Sequence, residues 1–144
     1  MSSKVEDLEP VTREMCRAFL AECEARMLPP IRVTHTLRSM DEQMHLYAKG
    51  RMKTSNGWLV VDSKAIVTKA RPGESPHNFG AAFDICIAGA DPYPDDDKLW
   101  ESYGRVGESC GLSWGGPLGE GDRFRWDKPH FERRDWRVLK DRKA

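Results

Sequence analysis

The chain has 144 residues, 39% hydrophobic and 32% charged, with Lys+Arg and Asp+Glu balanced at 23 each. That is the size of one ordinary domain, able to bury a core without disulfide or metal staples. Zero net charge gives no electrostatic case for nucleic acid or an anionic membrane as the main partner, and no stretch approaches the ~20 apolar residues of a membrane span.

The first ten residues contain no apolar run of the secretory kind, so synthesis in the cytoplasm is expected. Residues 11–28 read as a helix, because Met15, Phe19, Cys23 and Met27 recur every four positions. Pro29 and Pro30 stop it. Residues 31–38 alternate with period two and read as a strand. Ile31, Val33, His35 and Leu37 share one face, and Arg32, Thr34, Thr36 and Arg38 the other. This alternation makes His35 a structural histidine on the core face. Ser39-Met40-Asp41-Glu42 is a capping box that starts a helix running to about Lys49 and ending at Gly50.

Asn56-Gly57 is a turn signal, and the apolar runs 58–61 and 65–68 are expected to pair around this region as a hairpin. Residues 81–87 read as a strand with Phe83, Ile85 and Ile87 toward the core and Asp84 opposite. Asp95, Asp96 and Asp97 offer helix caps, a better reading than a calcium loop, since no EF-hand spacing follows. Leu99, Tyr103, Val106 and Cys110 then form a helical stripe closed by Gly111. Residues 112–114 read as a short strand, and the loop 115–125 leads to a strand carrying His130. Cys16, Cys23, Cys86 and Cys110 form no C-x-x-C pair and read as free thiols. The basic tail from Arg133 reads as a solvated helix face. The expected fold is α+β: one domain over 1–144, helices packed on a central antiparallel sheet.

Two segments carry chemistry. One is Ser75-Pro76-His77-Asn78-Phe79-Gly80-Ala81-Ala82-Phe83-Asp84, and the other Trp126-Asp127-Lys128-Pro129-His130-Phe131-Glu132. Two imidazoles and one carboxylate are a common ligand set for catalytic zinc, with a fourth place left to water. His77 from a loop, Asp84 from a strand and His130 from another strand could converge on one ion. Asp127, three residues before His130, is placed to act as the base on that water. Glu132 shares a strand face with His130 and suits a partner holding the ligand imidazole. Arg38 suits a substrate carboxylate or a developing oxyanion. Trp114 could line a substrate cleft or sit in the core. Each short spacing alone occurs by chance in many chains; the complete strings are far more specific.

Those strings, with Thr36-Leu37-Arg38-Ser39-Met40-Asp41-Glu42-Gln43, Leu46-Tyr47-Ala48-Lys49-Gly50-Arg51 and Gly111-Leu112-Ser113-Trp114-Gly115-Gly116, resemble the zinc peptidases of the D-alanyl-D-alanine carboxypeptidase and L-alanyl-D-glutamate endopeptidase group. Its fold is also that of hedgehog domains. Within the group the chain is most similar to phage endolysin-type L-alanyl-D-glutamate peptidases, over about residues 31–132. The resemblance implies that His77, Asp84 and His130 bind one zinc ion and that Asp127 is the catalytic base. It implies that Arg38 supports substrate or intermediate, with Gln43 and Ser75 in the polar wall of the site. Residues 52–64 read as an insertion, and the loop 117–125 departs from the family pattern.

The expected function is cleavage of a peptidoglycan stem-peptide bond, most simply L-alanyl–D-glutamate, by metal-activated water. The alternatives are a D-alanyl-D-alanine carboxypeptidase and a non-catalytic zinc-binding relative; the presence of Asp127 argues against the last. The partner is a stem peptide, met by a monomer after holin-type or other release. Two histidines and a carboxylate also suit iron, cobalt or manganese, so the ligand set alone leaves the metal open.

Overall fold

The computed structural model describes residues 1–117 and 127–143. Helix α1 (Pro10–Ala25) begins at Glu9, whose carboxylate accepts the backbone N–H groups of Val11 and Thr12, with Pro10 in the first helical position. Strand β1 (Ile31–His35) follows. Helix α2 (Met40–Ala48) opens with the full capping box: the Ser39 hydroxyl accepts from the Glu42 N–H and Glu42 accepts from the Ser39 N–H. Strands β2 (Arg51–Thr54) and β3 (Gly57–Val60) form a separate hairpin. Then come β4 (Ala82–Ile87), α3 (Asp97–Ser109) capped by Asp96, β5 (Leu112–Trp114), β6 (His130–Arg133) and α4 (Arg137–Lys143).

The main sheet has the order β1-β4-β6-β5, with every neighbouring pair antiparallel. The expected α+β architecture is therefore present. One face of the sheet is closed by α1 and α3. Phe19 of α1 meets Phe83 at 5.6 Å and Phe131 at 4.7 Å between ring centroids, and the two strand rings stack at 5.5 Å. All three are fully buried, and each contributes roughly 1.5–3 kcal/mol of apolar transfer. Helix α3 can sit this close because Gly107 faces Phe131, where a Cβ would stand 2.5 Å from the ring.

The hairpin differs from expectation. Residues 51–54 pair with 57–60, and 63–65 form a short 3₁₀ turn capped by Asp62. The reason lies in the turn: the loop has only two residues, Ser55 and Asn56, and Gly57 adopts φ +113° as the chain returns. The Thr54 hydroxyl donates to the Gly57 carbonyl, closing the loop, so the strand before the turn supplies the partner. In the basic tail, Arg133 pairs with Glu9 and Asp135, and Arg134 with Glu108. All four cysteines are free thiols; Cys16, Cys23 and Cys86 are buried and Cys110 partly so. Among the described residues no helix is long and apolar enough to cross a membrane.

Candidate metal centre

The register of β1, β4 and β6 assembles the site. Asp84 lies opposite His130 on one side and His35 on the other. Alternation turns Asp84, His130 and Glu132 away from the face that holds Phe83 and Phe131. His77 comes from the 3₁₀ turn Pro76–Phe79, whose cap is Ser75; the Ser75 hydroxyl accepts the His77 backbone N–H at 3.3 Å.

His77 Nε2 stands 3.5 Å from Asp84 Oδ1, and His130 Nδ1 stands 3.0 Å from the same oxygen. One donor atom from each of the three side chains lies within 4.8 Å of the others. Tetrahedral bonds of about 2.0–2.2 Å place donor atoms about 3.3–3.6 Å apart, so this set fits such a cation with little movement. Each ring is also gripped through the nitrogen that faces away from the other ligands. The Thr36 carbonyl accepts from His77 Nδ1 at 2.7 Å, so Nε2 is the ring nitrogen turned toward Asp84. Glu132 Oε1 accepts from His130 Nε2 at 2.9 Å, leaving Nδ1 on the inner side. Glu132, expected as a partner for the ligand imidazole, is 1% exposed and makes that contact.

The electrostatics of this cluster favour positive charge between the carboxylates. Burial would raise the Asp84 pKa, yet hydrogen bonds from His130, His35 and His77 hold it well below the usual carboxylate range. Burial would lower His130, but Asp84 and Glu132 on either side push it up to about 10. A proton between His130 and Asp84 thus stands where a cation could replace it.

Asp127 sits in the turn before β6. Its N–H donates to the Gly115 carbonyl at 3.0 Å, and Gly115 N–H donates to the His130 carbonyl at 2.8 Å. A Cβ at Gly115 would lie 2.2 Å from the Asp127 carbonyl oxygen, so only glycine admits this approach. Burial raises the Asp127 carboxyl above its ordinary pKa. Asp127, Arg38, Ser75 and the three potential ligands line one cleft of about 970 Å³. Arg38 is held there by Gln43, whose Oε1 accepts from Nη1 at 2.9 Å. Gln43 is fully buried and donates to the Ala70 carbonyl, so it positions Arg38 from behind the cleft. Burial lowers the Arg38 pKa, but a guanidinium remains charged.

One reading is corrected, that of His35, and one open choice, that of Trp114, is decided. His35 does not follow the core face of β1: the register shifts between Val33 and His35, and this bulge turns the ring to the Asp84 side, into the cleft. Trp114 is a core residue at 2% exposure; its indole N–H donates to the Lys128 carbonyl at 2.7 Å and so supports the segment carrying Asp127. Trp126 and most of the loop 117–125 lie outside the described residues. Sequence reasoning assigned no role to Asn78, whose amide donates to the Arg38 carbonyl and Gln43 Oε1. It also assigned none to Arg51, which donates to the Tyr47 and Thr68 carbonyls and ties down the 66–70 wall of the cleft.

A two-histidine, one-carboxylate donor set at the foot of an open cleft, beside a buried carboxyl and a guanidinium, is the layout of a metallohydrolase. The family described as D-alanyl-D-alanine carboxypeptidase matches residues 68–133. The chain is 31% identical over 136 residues to the peptidoglycan L-alanyl-D-glutamate endopeptidase CwlK of Bacillus subtilis, covering 88% of this chain and 73% of that one. The chain belongs to this family, the M15 metallopeptidases. Its fold is shared with the L-Ala D-Glu endopeptidase ChiX of Serratia marcescens, with a TM-score of 0.57 at 17% identity over 94% of this chain and 86% of that one. It is shared too with the D,D-pentapeptidase VanY of a VanB-type resistance cassette, solved in complex with Zn(II), with a TM-score of 0.57 at 16% identity over 93% and 76%.

Proposed function

We propose that this protein is a zinc-dependent peptidoglycan peptidase that cuts the L-alanyl–D-glutamate bond of the stem peptide, with His77, Asp84 and His130 holding the ion. The observation that carries the reading is the meeting of His77 Nε2 and His130 Nδ1 on one oxygen of Asp84, inside a cleft that also contains Asp127. CwlK, which the chain resembles over most of its length, supplies the substrate class and the bond.

A bound zinc ion supplies Lewis acidity, polarising the scissile carbonyl and making water acidic enough to attack at neutral pH. The protein's own residues do the rest. Asp127 receives the proton of the attacking water on its carboxylate and passes it to the leaving amine. Its raised pKa suits both halves of that transfer. Arg38, fixed by Gln43, offers a permanent positive charge to the oxygen on which negative charge develops. Ser75 and Asn78 hold the turn that presents His77.

Digestion of purified muropeptides, followed by mass spectrometry, tests the reading. Release of the stem peptide from L-alanine is the expected result. Loss of a single terminal alanine would instead make the chain a carboxypeptidase, and intact stems at high enzyme would remove the proposed activity.

A further inference from the structure

Strand β1 breaks its ladder at one point, between Val33 and His35, and both residues after the break turn toward the candidate ligands. The His35 ring reaches Asp84, with Nδ1 3.4 Å from Oδ2. The next carbonyl, of Thr36, accepts from His77 Nδ1. A single bulge therefore serves two of the three metal-binding side chains, and bulges are enriched beside active sites for this kind of re-aiming. Without it, period-two alternation would send His35 into the aromatic core.

The two oxygens of Asp84 have different neighbours. Oδ1 faces His77 and His130, whereas Oδ2 faces His35. With its proton on Nδ1 the His35 ring faces two acceptors, Asp84 Oδ2 at 3.4 Å and the Thr34 hydroxyl oxygen at 3.0 Å. We propose that His35 is a positioning residue: by engaging Oδ2 it fixes the rotation of the Asp84 carboxylate so that Oδ1 alone is presented to the cation. The inference rests on the proposed metal centre but not on the bond that is cut. Its ring is 44% exposed and belongs to no hydrophobic cluster, which favours this role over a packing one.

The test compares zinc dissociation constants, measured by competition with a chromogenic chelator, for wild type, His35→Asn and His35→Leu. Asn and Leu have nearly the same shape, but only Asn keeps an N–H donor. His35→Leu should bind zinc about 10–100-fold more weakly, the usual cost of losing a partner behind a metal ligand. His35→Asn should recover most of that loss, and all three metal-free proteins should melt together. Equal zinc affinity in the Leu variant and wild type, or an equal loss in Leu and Asn, overturns the proposal. The readout needs no substrate. A wild type that binds zinc but leaves muropeptides intact ends the peptidase reading and leaves His35 testable, whereas a wild type that binds no zinc ends both.

Discussion

The two faces of β4 and β6 are built from alternate residues of the same strands, yet they follow different rules. Phe83 and Phe131 point one way into a stack of rings with Phe19. Asp84, His130 and Glu132 point the other way into a chain of hydrogen bonds. The apolar face needs volume and shape, and its energy is spread over many contacts. The polar face needs particular atoms at particular distances, because buried carboxylates and imidazoles are tolerated only when each is partnered. Stability is therefore concentrated on one side of the sheet and chemistry on the other, one residue apart.

Substitutions on the two faces should separate these properties. The largest effect is expected for His77→Ala, which removes one of three donors: the dialysed protein should retain no zinc by elemental analysis and cut no stem peptide, while its metal-free melting temperature stays near that of wild type. Asp127→Ala should keep one zinc per chain and lose about 10²–10⁴-fold in kcat, the usual share of a general base. Wild-type turnover in that variant would place the base elsewhere. On the opposite face, Phe131→Ala should cost about 3–5 kcal/mol in denaturant unfolding, with the remaining folded molecules still binding zinc. If it abolished zinc binding in folded protein, the two faces would be less independent than described.

A smaller effect concerns protons. In the metal-free protein the His130 pKa is raised to about 10 by Asp84 and Glu132 against the opposing pull of burial. Below that value the imidazole is protonated and must lose a proton before Nδ1 can bind a cation. Zinc uptake at pH 7.5 should release about one proton, seen as a dependence of calorimetric heat on buffer ionisation enthalpy, and affinity should rise with pH toward 10. Binding without proton release would show that His130 is already neutral.

The same contrast explains what the sequence made legible. Phe83 and Asp84, or Phe131 flanked by His130 and Glu132, declare their faces because strict alternation persists through β4 and β6. The capping box at Ser39 and the stripe on α1 are local signals: α2 starts where the box puts it, whereas α1 buries Phe19 and Cys23 but ends at Ala25, leaving Met27 exposed beyond it at φ +55°. His35 departs from the alternation because a bulge changes it by one residue without a mark in the side chains of β1. The hairpin departs from the apolar pattern because ladder hydrogen bonds join backbones, so Arg51-Met52-Lys53-Thr54 can pair as well as an apolar run once the turn is short. Trp114 has the residue type of a cleft wall, and only its packing with α3 and its bond to the Lys128 carbonyl place it in the core. The supports of Arg38 and His77 are not legible in the sequence because carbonyl acceptors such as those of Thr36 and Ala70 have no signature in side-chain chemistry.

The most direct test of the account is a crystal structure of the protein grown with excess zinc, with anomalous data at the zinc edge. One strong peak bounded by His77 Nε2, Asp84 and His130 Nδ1, with an open position facing Asp127, is the expected result. No peak between those three side chains, or an ion fully enclosed by protein atoms, would contradict it.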